Sequence, residues 1–211
     1  NLAATDQATD TPTNNFCTLN SLDMNSSGVT LSEGNLKVAT SATNVGGRGT
    51  MGASSGKWFW EVLVVAKGDN VALIGIAQPS NWTLNYVGSS STSYAYSSGA
   101  EKYNNTASSS FGATWTDGDY IGVALNMDDG VISFYKDGSA QGDAYTGIST
   151  SEFMMPAFSG QANTDFSVNF GSPPYAITSG NADANGYGNF EFAVPSGYFS
   201  LCTKNLAEFG G

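Results

Sequence analysis

Trp115-Thr116-Asp117-Gly118-Asp119-Tyr120-Ile121-Gly122-Val123-Ala124-Leu125-Asn126-Met127-Asp128-Asp129-Gly130-Val131-Ile132-Ser133-Phe134-Tyr135-Lys136-Asp137-Gly138 is the stretch whose reading decides the fold. Tyr120 to Met127 is apolar and β-branched, and reads as a strand; Val131 to Tyr135 reads as its returning partner. Asp128-Asp129-Gly130 between them is a tight turn in which glycine supplies a positive φ, and Lys136-Asp137-Gly138 is a second one. Two strands of matched length joined by Asp-Gly predict an antiparallel hairpin.

The same alternation of strand and turn extends outward in both directions. Upstream, Lys57-Trp58-Phe59-Trp60-Glu61-Val62-Leu63-Val64-Val65 is a strand bounded by Ser-Ser-Gly and by Lys67-Gly68-Asp69-Asn70. Val71 to Ala77 follows it and predicts a hairpin with it, stopped by Pro79. Residues 78–110 scatter aromatic rings through Ser, Thr and Asn, which predicts irregular loops packing rings onto a sheet. Downstream, Met154–Phe158 and Phe166–Gly171 supply two more strands; in the second, Phe166, Val168 and Phe170 alternate with Ser167 and Asn169, as in a half-buried antiparallel strand. Residues 178–189 form a glycine-rich loop, and Phe190–Val194 a short strand. No amphipathic helix is visible. The polar stretch 1–15 reads as an arm or linker, and 16–208 as a single domain.

Composition removes several functions. Among 211 residues, 7 Lys and Arg face 18 Asp and Glu, for a net charge of −11. With Arg48 the sole arginine, the chain lacks the basic surface that nucleic acid requires, and no run approaches a membrane-spanning helix. Histidine is absent, so no Ser-His-Asp or Cys-His nucleophile system and no His-ligated metal site can form. Two cysteines cannot build a Cys-ligated zinc site. A bridge between Cys17 and Cys202 would close a loop of ~185 residues and stabilise the fold by about 4–5 kcal/mol in the chain-entropy account; two small buried hydrophobes are the other reading.

Residues 53–172 resemble the SPRY domain family. The resemblance is carried by Gly56-Lys57-Trp58-Phe59-Trp60-Glu61-Val62, Ile74-Gly75-Ile76-Ala77, Ser93-Tyr94-Ala95-Tyr96, Lys102-Tyr103-Asn104-Asn105, the 115–138 hairpin, Met155-Pro156-Ala157-Phe158 and Val168-Asn169-Phe170-Gly171, in that order. The flanks Asp10–Asn20, Gly34–Val38 and Pro195–Leu206 are similar to SPRY-bearing structural proteins of tailed bacteriophages, marine ones especially. The resemblance implies an all-β, antiparallel, two-sheet bent β-sandwich of the concanavalin-like jelly-roll kind. It implies no cofactor, no catalytic residue and no enzyme activity, with contacts made by loops at one end of the sandwich.

The aromatics Trp82, Tyr86, Tyr94, Tyr96 and Tyr103, bordered by Asn and Ser, and Tyr187 in the glycine-rich loop, are the candidate ligand- or partner-binding residues. Packing is the competing role for Tyr94 and Tyr96, which lie inside the family motif. Asp117, Asp119, Asp128, Asp129 and Asp137 miss the spacing of a calcium loop and read as turn acids, so no metal is expected. Glu61 is the one glutamate with a strand address, and reads as solvent-facing or paired with lysine.

These readings converge on a non-enzymatic virion surface protein of a phage, a tail fibre or capsid decoration, whose domain recognises proteins or a host surface. Its expected partners are other virion proteins and a host-surface protein or glycan, with no nucleic acid, no membrane insertion, and a homo-oligomer in the fibre case. A secreted carbohydrate-binding module is the alternative.

Overall fold

The computed structural model describes residues 10–80 and 83–210. Within them the chain forms two antiparallel sheets facing each other across one main core, with a single short helix, α1 (Thr203–Phe209). The first sheet runs β1 (Leu19–Met24), β4 (Val45–Gly49), β13 (Met155–Gly160), β6 (Leu73–Ala77), β7 (Ser93–Ser97), β8 (Glu101–Asn104), β9 (Ala107–Ser110). The second runs β12 (Ser139–Thr146), β11 (Val131–Lys136), β10 (Tyr120–Asn126), β5 (Lys57–Lys67), β14 (Thr164–Asn169), β3 (Lys37–Thr40), β2 (Val29–Ser32). A two-residue β15 (Phe199–Ser200) lies parallel to β5. This is the bent β-sandwich that the resemblance implied.

The hairpin of the opening stretch is present, with Val123 opposite Phe134 and Leu125 opposite Ile132, and Gly130 takes φ +66°. The two-residue period of β5 explains the core. Trp58, Trp60, Val62 and Val64 point inward, opposite Leu125, Val123 and Ile121 of β10, and all are buried. Phe59 and Glu61 point to the other face of the sheet. Trp115 also belongs to the core, 6.2 Å from the rings of Tyr96 and Phe166. Burying an indole of this kind removes enough apolar surface from water to contribute about 3 kcal/mol.

Five expectations are corrected. β5 and β6 do not pair: β5 is flanked by β10 and β14 and β6 by β13 and β7, so the 68–72 segment carries the chain from one sheet to the other. Of the described part of 78–110, only the residues before Ser93 are irregular, because Ser93–Ser97 and the segments after it pair as β7, β8 and β9. Ser167 and Asn169 are buried despite facing outward, because 170–198 crosses that face as a strap; Phe190 joins it only through an isolated bridge to Asn181, so the expected strand at 190–194 does not form. The tail contains α1, held where the Thr203 N–H donates to the Asn15 carbonyl at 2.9 Å. Its seven residues are too few for helical periodicity to show in sequence.

Of the segment read as an arm, residues 10–15 are tied to the domain: Asp10 Oδ1 accepts from the Phe16 N–H at 3.1 Å, and Asn15 N–H donates to Thr203 Oγ1 at 3.0 Å. Cys17 and Cys202 are free and buried, so the bridge is not formed. The register explains it: Phe16, not Cys17, stands opposite Cys202, which sends the two thiols to opposite faces of that pairing. Cys17 Sγ meets Thr50 Oγ1 at 3.7 Å and Cys202 Sγ meets Ser200 Oγ at 3.7 Å. Burial pushes the Cys17 thiol up to about 11, which suits an inert thiol.

Candidate recognition site

The first sheet turns Leu73, Ala77, Ala95 and Ala157 outward, and residues 83–92 lie across them. That segment is pinned by backbone: Gly46 N–H donates to the Leu84 carbonyl at 3.2 Å and Thr106 N–H to the Gly88 carbonyl at 2.9 Å. Val87 N–H donates to Ser159 Oγ at 2.9 Å. Gly88, at φ +93°, lets the segment sit directly on β8, since a Cβ there would fall 2.5 Å from that of Tyr103.

This pinning leaves a pocket of about 140 Å³ at the end of the sheet, lined by Asn44, Val71, Leu73, Tyr86, Tyr103 and Gln161. Tyr86 and Tyr103 meet edge to face at 6.4 Å and 83°. Gln161 Nε2 donates to Asn44 Oδ1 at 2.8 Å, linking the loop before β4 to the β13–β14 turn. Tyr103 Oη donates to Glu101 Oε2 at 2.8 Å, and burial, then that carboxylate, holds the phenol above its ordinary range. The lining carries no charged side chain. It offers aromatic edges and amide groups, a set suited to stacking and to neutral hydrogen bonding rather than to proton transfer.

The pocket gathers two of the six aromatics singled out in sequence. Tyr94 and Tyr96 point to the opposite face of β7, between the sheets. Tyr96 is fully buried, bonds through its hydroxyl to the Ala113 carbonyl, and packs on Phe111, Trp115 and Phe134, so it is a core residue and not a ligand contact. Tyr94 is half-buried against Tyr145, 5.1 Å away. Tyr187 sits on the strap over the second sheet, with Lys204 Nζ 5.4 Å above its ring. Trp82 lies outside the described residues. Asn44 and Gln161 were missed, because an amide pair split across 117 positions leaves no local pattern.

A second hollow, of about 420 Å³, opens at the other end of the sandwich between Thr50, Met51, Gly52, Pro79, Phe153, Met155 and Leu206; Phe153 is 54% exposed there.

The strap side is closed by contrast. Glu61, read as solvent-facing, is 1% exposed and accepts from the backbone N–H groups of Glu191 (3.0 Å) and Phe192 (2.8 Å). Burial pushes its carboxyl up to about 7, against the pull of those donors. Asp183 is a second latch: Oδ1 accepts from the N–H groups of Asn185 and Tyr187, and Oδ2 from Ser200 N and Oγ and from Asn205 Nδ2. Three of the hairpin acids bond backbone N–H groups, the turn role that the resemblance implied. Asp128 accepts from Gly56 N–H, Asp117 from Lys67 N–H and Asp137 from Tyr120 N–H, at opposite ends of the hairpin.

A sandwich whose rim loops enclose a neutral aromatic pocket has the form of a binding scaffold. The chain belongs to the SPRY domain family, which matches it over residues 57–173. Over 127 residues it is 29% identical to the probable ATP-dependent RNA helicase ddx1 of Dictyostelium discoideum, covering 60% of this chain and 16% of that protein. Over 124 residues it is 29% identical to the E3 ubiquitin-protein ligase RKP of Arabidopsis thaliana, covering 57% of this chain and 10% of that one. The chain therefore spans only a small part of either relative. The crystal structure of the SPRY domain of human HERC1 superposes with a TM-score of 0.58 at 19% identity, over 71% of this chain and 96% of that one, which supports the fold. SPRY domains are generally binding rather than catalytic domains, which points to protein–protein recognition.

Proposed function

We propose that this chain is a recognition module of a tailed-phage particle, a tail fibre or capsid decoration, which engages another virion protein or a host-surface protein through the Tyr86–Tyr103 pocket. The observation that carries the recognition reading is the pocket itself: two phenol rings and an Asn–Gln amide pair, contributed by four separate segments and facing out at one end of the sandwich. The phage setting is supported by the likeness of the flanks to phage structural proteins and by a charge-poor, Ser/Thr/Asn-rich composition suited to an extracellular particle.

The test is cross-linking mass spectrometry on purified source particles. Links from neighbouring proteins should converge on 41–44, 68–72, 83–92 and 161–163, and disappear in particles carrying Y86A. Absence of the chain from the particle ends the virion reading. Links confined to the strap side end the pocket reading. The neutral lining also suits a sugar ring, so a glycan array belongs beside this experiment: glycan binding lost in Y86A would replace the protein partner with a carbohydrate.

A further inference from the structure

A two-layer sandwich has four edge strands, each a row of unpaired backbone groups open to another strand unless something guards it. Three of the four are guarded. β1 carries a bulge between Leu19 and Met24, and its Asp23 is tied to Arg48 at 2.6 Å. β12 is broken by two bulges, takes φ +95° at Gly142 and carries Asp143. β2 ends at Ser32, next to Glu33, and lies against β1 and β4 of the other sheet.

Among the described residues, β9 has none of these devices. Its Ala107-Ser108-Ser109-Ser110 sequence contains no charge and no proline, all four residues are exposed, and its register against β8 is regular from Glu101↔Ser110 to Asn104↔Ala107. The bond from Phe111 N–H to the Ala100 carbonyl, 2.9 Å, fixes which pairs are hydrogen-bonded. Antiparallel alternation then sends the N–H and C=O of Ser108 and Ser110 away from β8, into solvent. The side chains of Ser108 and Ser110 share the outward face with Glu101 and Tyr103: Ser108 Oγ donates to Glu101 Oε1 at 3.1 Å, and Tyr103 Oη to its Oε2. On the opposite face Lys102 is directed inward, donating to the Ala144 carbonyl at 2.6 Å, so Glu101 is the charge that a strand laid on the outward face meets.

We infer that β9 is a docking edge, and that its occupant is an extended segment of a partner protein, added antiparallel or parallel as an eighth strand of the first sheet with a Lys or Arg placed against Glu101. Charge selects that occupant. A second copy would bring its own Glu101 and another −11 to the same edge, whereas a basic segment gains from both. The backbone of Ser108 and Ser110 supplies the affinity and the Glu101–Tyr103 face the selectivity, as in strand addition generally. The inference rests on the protein-recognition reading, since it lays the partner one strand away from the Tyr103 wall of the pocket.

The experiment uses the full chain and a blocked octapeptide, acetyl-Thr-Val-Lys-Val-Thr-Val-Lys-Thr-amide, followed by amide chemical shifts. Perturbations should centre on 107–110, and replacing both lysines by glutamates should weaken binding at least tenfold. S108P removes an N–H that β8 does not use, so it should leave the fold intact and weaken the lysine peptide at least tenfold; S110P repeats the test at the other outward position. Shifts centred elsewhere, wild-type affinity retained by the two proline variants, or a glutamate peptide that binds as tightly as the lysine peptide overturns the inference. So does a concentration-dependent dimer in sedimentation that S108P abolishes, because the occupant is then a second copy. The two readings fail separately: partner binding lost in Y86A but kept in S108P spares the pocket and ends the edge, and the reverse spares the edge.

Discussion

The outer faces of the two sheets meet solvent in opposite ways. Over the second sheet, 170–198 is held by two buried carboxylates, Glu61 and Asp183, each accepting backbone N–H groups. Over the first sheet, 83–92 is held by backbone bonds and by the neutral side chains of Ser159, Ser93 and Asn104, and stops short of the sheet's end, where the pocket opens. A buried carboxyl group that accepts several donors makes a cover expensive to lift, because lifting it breaks all of those bonds together. A cover held by neutral bonds can leave part of its sheet uncovered. The closed face stabilises the fold, and the open face is available for contacts.

Breaking the closed face should have the largest effect. D183A strips the acceptor from five donors around 185–205, and should cost about 4 kcal/mol in denaturant unfolding; a loss under 1 kcal/mol would show that the latch is ornamental. Glu61 gives the next effect, and its sign is set by the raised carboxyl. The folded protein holds that proton up to about 7, the unfolded chain only to 4.5. The contribution of Glu61 is therefore complete below pH 4.5 and lost as pH rises through 7, a fall of roughly 3 kcal/mol. Unfolding curves at pH 5 and pH 8 should show it in the wild type, and E61Q should flatten the difference; an unchanged difference in E61Q would assign the slope to other groups.

The open face should respond more mildly in stability and more strongly in binding. G88A forces a Cβ against Tyr103 at positive φ, and should cost about 2 kcal/mol while disordering the pocket wall. Y86A, half-exposed, should cost about 1 kcal/mol or less, yet remove partner cross-links at the pocket rim. Smallest of all is the thiol pair. Intact mass under non-reducing conditions should match two free cysteines, and both should alkylate only after unfolding; a mass lower by two hydrogens would contradict the register at Phe16 and Cys202.

How much of this was written in the sequence follows from where the determinants lie. The 115–138 hairpin was legible because strand pattern and turn residues are contiguous. The partners of β5 were not legible, because a strand's neighbours in a sandwich are set by long-range packing and its nearest successor crosses to the other sheet. Glu61 was misread for a related reason. A carboxylate between Trp60 and Val62 has the same local pattern whether water or a strap covers it, and the strap lies 130 positions away. Of the site, the Tyr86–Tyr103 half could be singled out as aromatic residues among small polar ones, while the Asn44–Gln161 half required the fold to bring two amides together.

The pairing at the chain's ends has a mechanical consequence. Thr203 N–H donates to the Asn15 carbonyl and Asn15 N–H to Thr203 Oγ1, so the incoming and outgoing segments are hydrogen-bonded neighbours. Tension applied along a polypeptide through this domain would cross from residue 15 to residue 203 over that short gap, and the sandwich would hang beside the line of force as a pendant. Its rim could then stay folded and correctly shaped while the strand that carries it is pulled.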